Sequence, residues 1–108
     1  MRSATRPGGA VVYVASDVMG HGDDELGGLL MAAFLDTLSH FRDRTSHVLF
    51  VNSGARLAVQ GSPVLAQIRQ LEEMGVRVLV CGTCLRHFGL ADELAVGAVS
   101  NMYEIIDT

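Results

Sequence analysis

The sequence contains no lysine, and all eight of its basic residues are arginine. Without a lysine amine, the chain has no group for Schiff-base catalysis and no lysine for a phosphate-binding P-loop. Acidic residues outnumber the arginines and give a formal net charge of −4. Because the arginines form no basic stripe along the sequence, we do not expect a nucleic acid partner.

Long apolar runs are also missing. None approaches the roughly 18 residues that a membrane-spanning helix needs. The basic N-terminus has neither the apolar stretch nor the small-residue cleavage site of a signal peptide. We therefore predict a cytoplasmic protein that does not bind membranes, with a flexible tail over residues 1–9 and a single domain over residues 10–108. Hydrophobic residues make up 49% of the chain, enough for a core without disulfides.

Cysteine is scarce: the chain has only Cys81 and Cys84, two residues apart. Two cysteines cannot form a disulfide framework, and in a reducing cytosol a CxxC pair is more typical of redox or metal chemistry. The pair follows the apolar run 76–80, a predicted strand, and precedes a predicted short helix over residues 85–88. We expect the helix start to lower the thiol pKa and activate a nucleophile with a resolving partner. The alternative is two small buried packing residues.

Two better-known CxxC chemistries fit the sequence less well. Cys81, Cys84 and His87 form C-x2-C-x2-H, but a structural zinc site normally needs four ligands, and only the distant His21 suggests itself as the fourth. We therefore predict no metal and no other cofactor. A thioredoxin-like site is disfavoured because no aromatic residue directly precedes Cys81. Pro63 lies at a predicted helix start, which makes it a poor candidate for a facing cis-proline.

Strand-like and helix-like segments alternate along the chain. Predicted strands cover residues 11–15, 47–51, 76–80 and 94–99. The first predicted helix begins at Glu25, and the second has Ser62 as N-cap, Pro63 as first residue and Gly75 as C-cap. The short helix after the cysteines ends at Gly89, and Ser100 caps a last helix over residues 101–106. The first helix carries an apolar stripe of Leu26, Leu29, Leu30, Ala33, Phe34, Leu38 and Phe41. This alternation predicts an α/β fold with a mostly parallel sheet of four or five strands.

The unusual loops all follow predicted strands, at residues 17–24, 52–62 and 81–84. Parallel sheets gather functional loops at the carboxyl ends of their strands. Gly82 allows close backbone approach, and Thr83 is expected to cap through its hydroxyl. For the acids at residues 23–25, a capped helix start is the alternative to a role at the site. The candidate site-lining residues are His21, Asp23, Asn52, Gly82, Thr83 and Asn101.

Several segments together resemble the DsrE-like domain of YedF-type selenium-metabolism proteins, in the family's order and over nearly all of the chain from Val11 onward. They are Gly20-His21-Gly22-Asp23-Asp24-Glu25-Leu26-Gly27, Asn52-Ser53-Gly54, Leu57-Ala58-Val59, Gly61-Ser62, Cys81-Gly82-Thr83-Cys84-Leu85, Phe88-Gly89-Leu90, Leu94-Ala95-Val96-Gly97 and Ser100-Asn101-Met102-Tyr103-Glu104-Ile105.

The resemblance implies a three-layer α/β/α DsrE-like fold and a place among sulfurtransferase-like proteins. Members of the broader group carry sulfur as a cysteine persulfide, pass it to a partner protein and commonly form oligomers. Cys81 matches the group's strand-end cysteine, which implies that Cys81 is the carrier and Cys84 the supporting thiol. YedF-type proteins usually also have a TusA-like domain before this region, and relatives continue into a further strand after the position of Thr108. An open sheet edge is therefore expected here.

The leading hypothesis is a small sulfur-relay protein that carries sulfane sulfur, or selenium, as a persulfide on Cys81. Its partners would be a sulfur donor protein, an acceptor protein and further copies of itself. One alternative is a non-catalytic binding or assembly module with structural cysteines. The other is a CxxC thiol–disulfide oxidoreductase.

Overall fold

Strands and helices alternate over residues 9–108, the part of the chain that the computed structural model describes. The tail predicted over residues 1–9 lies, apart from Gly9, outside the described residues. The strands and α-helices are β1 (Ala10–Val14), α1 (Asp24–Leu38), β2 (Thr45–Phe50), α2 (Leu65–Glu73), β3 (Arg77–Cys81), α3 (Gly82–His87), β4 (Ala98–Ser100) and α4 (Met102–Asp107).

The four strands form one sheet in the order β1-β2-β3-β4, and every neighbouring pair is parallel. Val12 of β1 pairs with Val48 of β2, which pairs in turn with Val78 of β3. Each parallel connection needs a crossover, and α1, α2 and α3 lie in the three crossovers. The predicted α/β fold with a mostly parallel sheet is confirmed, with four strands.

Strand pleating divides the core between the two faces of the sheet, because successive side chains point to opposite sides. On one face, Val48 and Phe50 belong to the larger buried cluster together with Leu35 of α1 and Ile68 of α2. On the other face, alternate strand residues form a smaller buried cluster with one residue of α4; its members are Leu49, Val51, Leu79, Cys81 and Ile105. The sheet is therefore a middle layer between α1 and α2 on one side and α4 on the other.

The first helix buries a different face from the one that the apolar stripe predicts. Leu26, Leu29 and Leu30 are 53%, 66% and 43% exposed. The buried residues are Gly27, Met31, Leu35 and Leu38, of which only Leu38 belongs to the predicted stripe. A Cβ at Gly27 would lie 2.9 Å from the Cβ of Val18, so the glycine lets this side of α1 approach the preceding loop closely. The helix also ends at Leu38, before the predicted Phe41, because a 3-10 helix follows over Ser39–Arg44.

The expected start of the second helix is wrong by two residues, while its end is as expected. Ser62 Oγ accepts the Val64 N–H at 3.2 Å in a turn that precedes the helix, and α2 begins at Leu65. At the other end, Gly75 has a φ of +94°, as a helix-terminating glycine should. In the described part of the chain, no helix combines the length and the apolar character needed to cross a bilayer.

The last strand is shorter than the predicted 94–99. Leu94 bridges Val59 in the antiparallel sense, and the Ala95 N–H donates to Ala58 O at 2.9 Å. These contacts direct the backbone away from β3, so β4 begins only at Ala98. The predicted cap is also off by one residue, because Asn101 Oδ1, not the Ser100 hydroxyl, accepts the Glu104 N–H, at 2.9 Å.

Candidate functional site

Cys81 lies at the junction of β3 and α3. It is the last residue of the strand and the N-cap position of the helix, and its backbone pairs with Ser100 of β4. Cys81 lies two residues after Leu79 on β3, so both side chains point to the same face of the sheet and belong to the smaller buried cluster. Only 3% of Cys81 is exposed. The position at a strand end is as predicted, and the burial agrees with the alternative that the cysteines are packing residues.

Cys84 lies in the first turn of α3 and is partly exposed. Its sulfur accepts the backbone N–H of Asn52 at 3.1 Å. The Cys84 side chain also packs against the buried cluster that contains Cys81. The two thiols are therefore neighbours, and Cys84 is the partly exposed one.

Asn52 reaches Cys84 because of an unusual backbone conformation. It is the only non-glycine residue among residues 9–108 with a positive φ, at 51°. Asparagine tolerates this left-handed conformation better than most residues. The side chain of Asn52 accepts the Ser53 N–H at 2.8 Å, which stabilises the turn. As a result, the Asn52 N–H lies at the start of the 3-10 helix Asn52–Ala58 and donates to Cys84.

Close packing holds that 3-10 helix over the carboxyl end of β1. The Val51 N–H donates to Val14 O at 3.0 Å, and Ser53 Oγ accepts the Asp17 N–H at 3.2 Å. A Cβ at Gly54 would lie well under 3.0 Å from Val14 O, so only glycine fits this position without movement. The loops after β1, β2 and β3 thus meet at one edge of the sheet, as the parallel topology requires.

Burial is the main cause of the raised pKa of Cys84, which stands above its ordinary value of 9.0. The hydrogen bond with Cys81 raises this pKa further, while the Asn52 N–H opposes the shift because it favours the thiolate. The expectation that the helix start lowers the thiol pKa is therefore wrong for Cys84. At neutral pH, Cys84 is a protonated thiol whose ionisation is held back by its surroundings.

Three other candidate residues lie outside the hydrogen-bonded set of Cys81, Cys84 and Asn52. His21 is exposed in the loop between β1 and α1. Asp23 caps α1 by accepting the Leu26 N–H at 2.9 Å, and Asn101 caps α4. Each cap explains why a polar side chain occurs at its position without a role at the cysteines.

Gly82 and Thr83 occupy the two positions between the cysteines. A Cβ at Gly82 would lie 3.0 Å from Val99 Cγ1, so this glycine lets α3 approach β4. Thr83 lies within α3 and is exposed to solvent, and its hydroxyl accepts a hydrogen bond from the Arg86 guanidinium at 3.4 Å. The expected capping role of Thr83 is wrong, because Cys81 occupies the cap position and no side chain there caps the helix.

Two contacts near the site were not predicted from the sequence. The Arg56 guanidinium lies 4.3 Å from the centroid of the Phe88 ring and so connects the 3-10 helix Asn52–Ala58 to the C-cap of α3. Ile105 is the buried residue of α4 and belongs to the same cluster as Cys81. The only sequence signal for Ile105 is that it is apolar within a short helix.

Residues 9–108 contain no group of three or more histidine, cysteine or acidic side chains arranged to hold a metal ion. His87, the third member of C-x2-C-x2-H, is exposed, and its ring meets the Phe88 ring edge-on at 5.2 Å. Two open surface depressions, of about 220 and 450 Å³, lie beside β1 and beside β4, and neither includes a cysteine. Neither depression therefore belongs to the cysteine site, which consists of one buried thiol and one partly exposed thiol.

Comparison with known proteins places this geometry in context. Residues 17–108 match the sequence model of the DsrE/DsrF-like family. The crystal structure of the ychN protein from E. coli superposes with a TM-score of 0.64 at 15% identity, over 92% of this chain and 90% of that one. MTH1491 from Methanobacterium thermoautotrophicum, described as a protein of unknown function, gives 0.63 at 22% identity, over 90% and 86%. At these identities the likeness shows the fold alone. No curated protein gives a significant match.

Proposed function

This chain belongs to the DsrE/DsrF-like family, and we propose that it is a YedF-type sulfur carrier that holds sulfane sulfur as a persulfide on Cys81. Family membership supports a sulfur-related role. The observation that carries the proposal is the contact between two thiols at the carboxyl end of β3. Selenium, which has the same persulfide-like chemistry, is the alternative cargo.

The chemistry needs only thiols and a donor. The Cys81 thiolate gains the outer sulfur of a donor persulfide, and the bond between that sulfur and the donor breaks, so the donor leaves as a thiolate. An acceptor thiolate can later take the same sulfur and restore Cys81. In the competing release step, Cys84 attacks the inner sulfur of Cys81, a disulfide forms and sulfide leaves. That disulfide then needs a cellular dithiol or glutathione for reduction.

The partners that we propose are a donor protein, an acceptor protein and further copies of this chain, in the cytoplasm. Exposed apolar side chains support an association between copies: Tyr103 and Ile106 of α4 are 83% and 77% exposed. Size measurements by light scattering on the full chain test the oligomer. A monomer at micromolar concentration would contradict it.

The carrier role is tested by sulfur retention. The protein is exposed to inorganic polysulfide, the donor is removed, and the intact mass is measured after a wash with a low-molecular-weight thiol. We expect wild type to retain one added sulfur, and Cys81→Ser to retain none. If wild type takes up no sulfur, or if Cys81→Ser retains as much as wild type, Cys81 is not the carrier.

The burial of Cys81, at 3% exposure, favours a second candidate, a binding or assembly module in which the cysteines only pack. Such a module should resist native alkylation at both thiols. Rapid modification of either thiol by iodoacetamide in the folded protein would count strongly against it.

The packing of Cys84 against the cluster that contains Cys81 favours a third candidate, a thiol–disulfide oxidoreductase. A redox titration against glutathione tests it. A Cys81–Cys84 disulfide that forms or breaks only outside the range of cellular potentials would exclude this function.

A further inference from the structure

The two thiols differ in their access to solvent. Cys81 is 3% exposed, whereas Cys84 is partly exposed on α3. We propose that Cys84 is the entry thiol and Cys81 the storage thiol, so that sulfane sulfur is accepted first on Cys84 and then passes inward to Cys81. This inference rests on the proposed function and deepens it, because it fixes the order in which the two cysteines act.

Direct loading of Cys81 is obstructed by its surroundings. Its side chain lies in a buried cluster with Leu49, Val51 and Leu79 from the sheet and Ile105 from α4. Attack on a donor persulfide requires the donor sulfur to come into line with the thiolate. A protein donor cannot do this while the cluster is closed.

The helix α4 is the cover over this cluster. It has six residues, of which only Ile105 is buried. Glu104 anchors it through the Ser100 hydroxyl and through Arg77, whose Nη2 lies 3.8 Å from Glu104 Oε2. Isolated helices of this length are unstable in water, so these contacts hold α4 in place. Removing the Ile105 side chain should therefore uncover Cys81 without touching the sheet.

Cys84 has the exposure that an entry thiol needs. It is partly exposed, and the Asn52 N–H donates to its sulfur at 3.1 Å, which opposes the rise in pKa that burial causes. A backbone N–H at this distance stabilises negative charge on sulfur in both the attacking thiolate and the persulfide. Cys84 packs against the cluster that contains Cys81, so the two side chains are neighbours and the sulfur can pass between them.

The transfer sequence balances without an oxidant or a reductant. The Cys84 thiolate bonds to the outer sulfur of the donor persulfide, and the donor thiolate leaves. The Cys81 thiolate then bonds to that same outer sulfur, and the bond between it and Cys84 breaks. Cys84 returns to the thiolate, which takes a proton from solvent, while Cys81 holds the persulfide beneath α4.

The first test compares loading rates with polysulfide by mass spectrometry, with the modified residue mapped by peptide analysis. We expect Cys81→Ser to accept sulfur on Cys84 at the wild-type initial rate but to lose it in the thiol wash. We expect Cys84→Ser to load Cys81 at least tenfold more slowly than wild type. Cys84→Ala serves as a second variant, and circular dichroism checks that each variant is folded. Wild-type loading of Cys81 in both Cys84 variants would overturn the inference.

The second test changes α4, the helix that covers Cys81, in the Cys84→Ser variant. Ile105→Ala should restore most of the lost loading rate of Cys81. Met102→Ala is the matched control on the same helix, because Met102 is 51% exposed, and it should change nothing. An equal effect of both substitutions, or none from Ile105→Ala, would overturn the role of α4.

Alkylation order gives a readout that needs neither a variant nor sulfur. In folded wild type, iodoacetamide should label Cys84 before Cys81. Labelling of Cys81 first overturns the entry order whatever the protein carries. If wild type takes up no sulfur, the proposed function fails and the relay fails with it. If wild type takes up sulfur and Cys84→Ser loads normally, only the relay fails.

Discussion

Gly54→Ala is predicted to destabilise the whole domain, because this glycine lies against backbone and not against movable side chains. The added Cβ would lie well under 3.0 Å from Val14 O, 3.1 Å from the Val14 carbonyl carbon and 3.4 Å from Ser16 N. None of these atoms can rotate away. The 3-10 helix Asn52–Ala58 would have to retreat from β1 by about one ångström to restore ordinary contact.

The size of the effect follows from what that retreat breaks. Inserting a methyl into a closely packed position typically costs about 1–3 kcal/mol. The retreat also weakens the hydrogen bond from the Val51 N–H to Val14 O, now 3.0 Å, and a buried backbone group that loses its partner costs about 1–3 kcal/mol. We therefore expect a loss of about 3 kcal/mol, a large part of the about 5–15 kcal/mol that stabilises a typical domain.

Equilibrium denaturation in urea, followed by circular dichroism, measures this loss. Gly28→Ala is the matched control: Gly28 lies in α1, and apart from its chain neighbours and the nearby backbone of its own helix, no heavy atom lies within 4 Å of the position of an added Cβ. Replacing a glycine inside a helix by alanine should stabilise by about 0.5–1 kcal/mol. A Gly54→Ala variant within about 0.5 kcal/mol of wild type, the range of an ordinary surface substitution, would refute the steric reasoning.

Five further outcomes are expected. Because burial raises the pKa of Cys84 above 9.0, its alkylation rate should rise roughly tenfold per pH unit through pH 9, and a plateau at lower pH would contradict this. The free energy of unfolding should fall above pH 9, because the Cys84 thiol has a lower pKa in the unfolded chain and ionises there first, which favours the unfolded state. Asn101→Ala should lower the free energy of unfolding by about 1 kcal/mol and speed hydrogen exchange in α4. Asp23→Ala should cost a similar amount without changing the alkylation rate of Cys84. A changed alkylation rate would show that Asp23 does influence the cysteine site. Arg56→Ala should lower the free energy of unfolding by about 0.5–1 kcal/mol, because it removes the contact between the guanidinium and the Phe88 ring. An unchanged free energy of unfolding would show that this contact does not stabilise the domain.

The fold was largely predictable because its main signals are local. Apolar β-branched runs marked β1, β2 and β3 to within about two residues at each end, the usual uncertainty of element boundaries. The predicted helix ends at Gly75 and Gly89 agree with the structure, in which both glycines have the positive φ values of 94° and 69° that commonly follow a helix. Parallel pairing then follows from the alternation of elements.

The errors arise where tertiary contacts override local pattern. Leu26, Leu29 and Leu30 are a convincing apolar stripe, but the close approach of Gly27 to Val18 turns another side of α1 inward. The spacing of leucines can be read from the sequence, whereas the close approach that a glycine allows depends on the tertiary structure. The stripe thus identified the helix but not its buried face.

The site was predictable in position but not in detail. The strand-end location of Cys81 came from the pattern of residues 76–81, whereas its burial depends on α4 returning over the sheet. The contact from Asn52 depends on a left-handed φ of 51°, for which an asparagine directly after a strand is only a weak signal. A hydrogen bond between residues 32 positions apart has no local signature.

The difference between the two thiols is a consequence of secondary-structure geometry. Strand periodicity gives Cys81 the parity of Leu79 and so directs it into the cluster that Ile105 closes. The chain then becomes helical at Gly82, and Cys84 lies in the first turn of α3, where it is partly exposed and can contact both Asn52 and Cys81. A strand end followed at once by a helix therefore places one buried cysteine and one partly exposed cysteine side by side. In the proposed carrier, this arrangement shields a persulfide on Cys81, because α4 covers Cys81 while Cys84 on α3 is partly exposed.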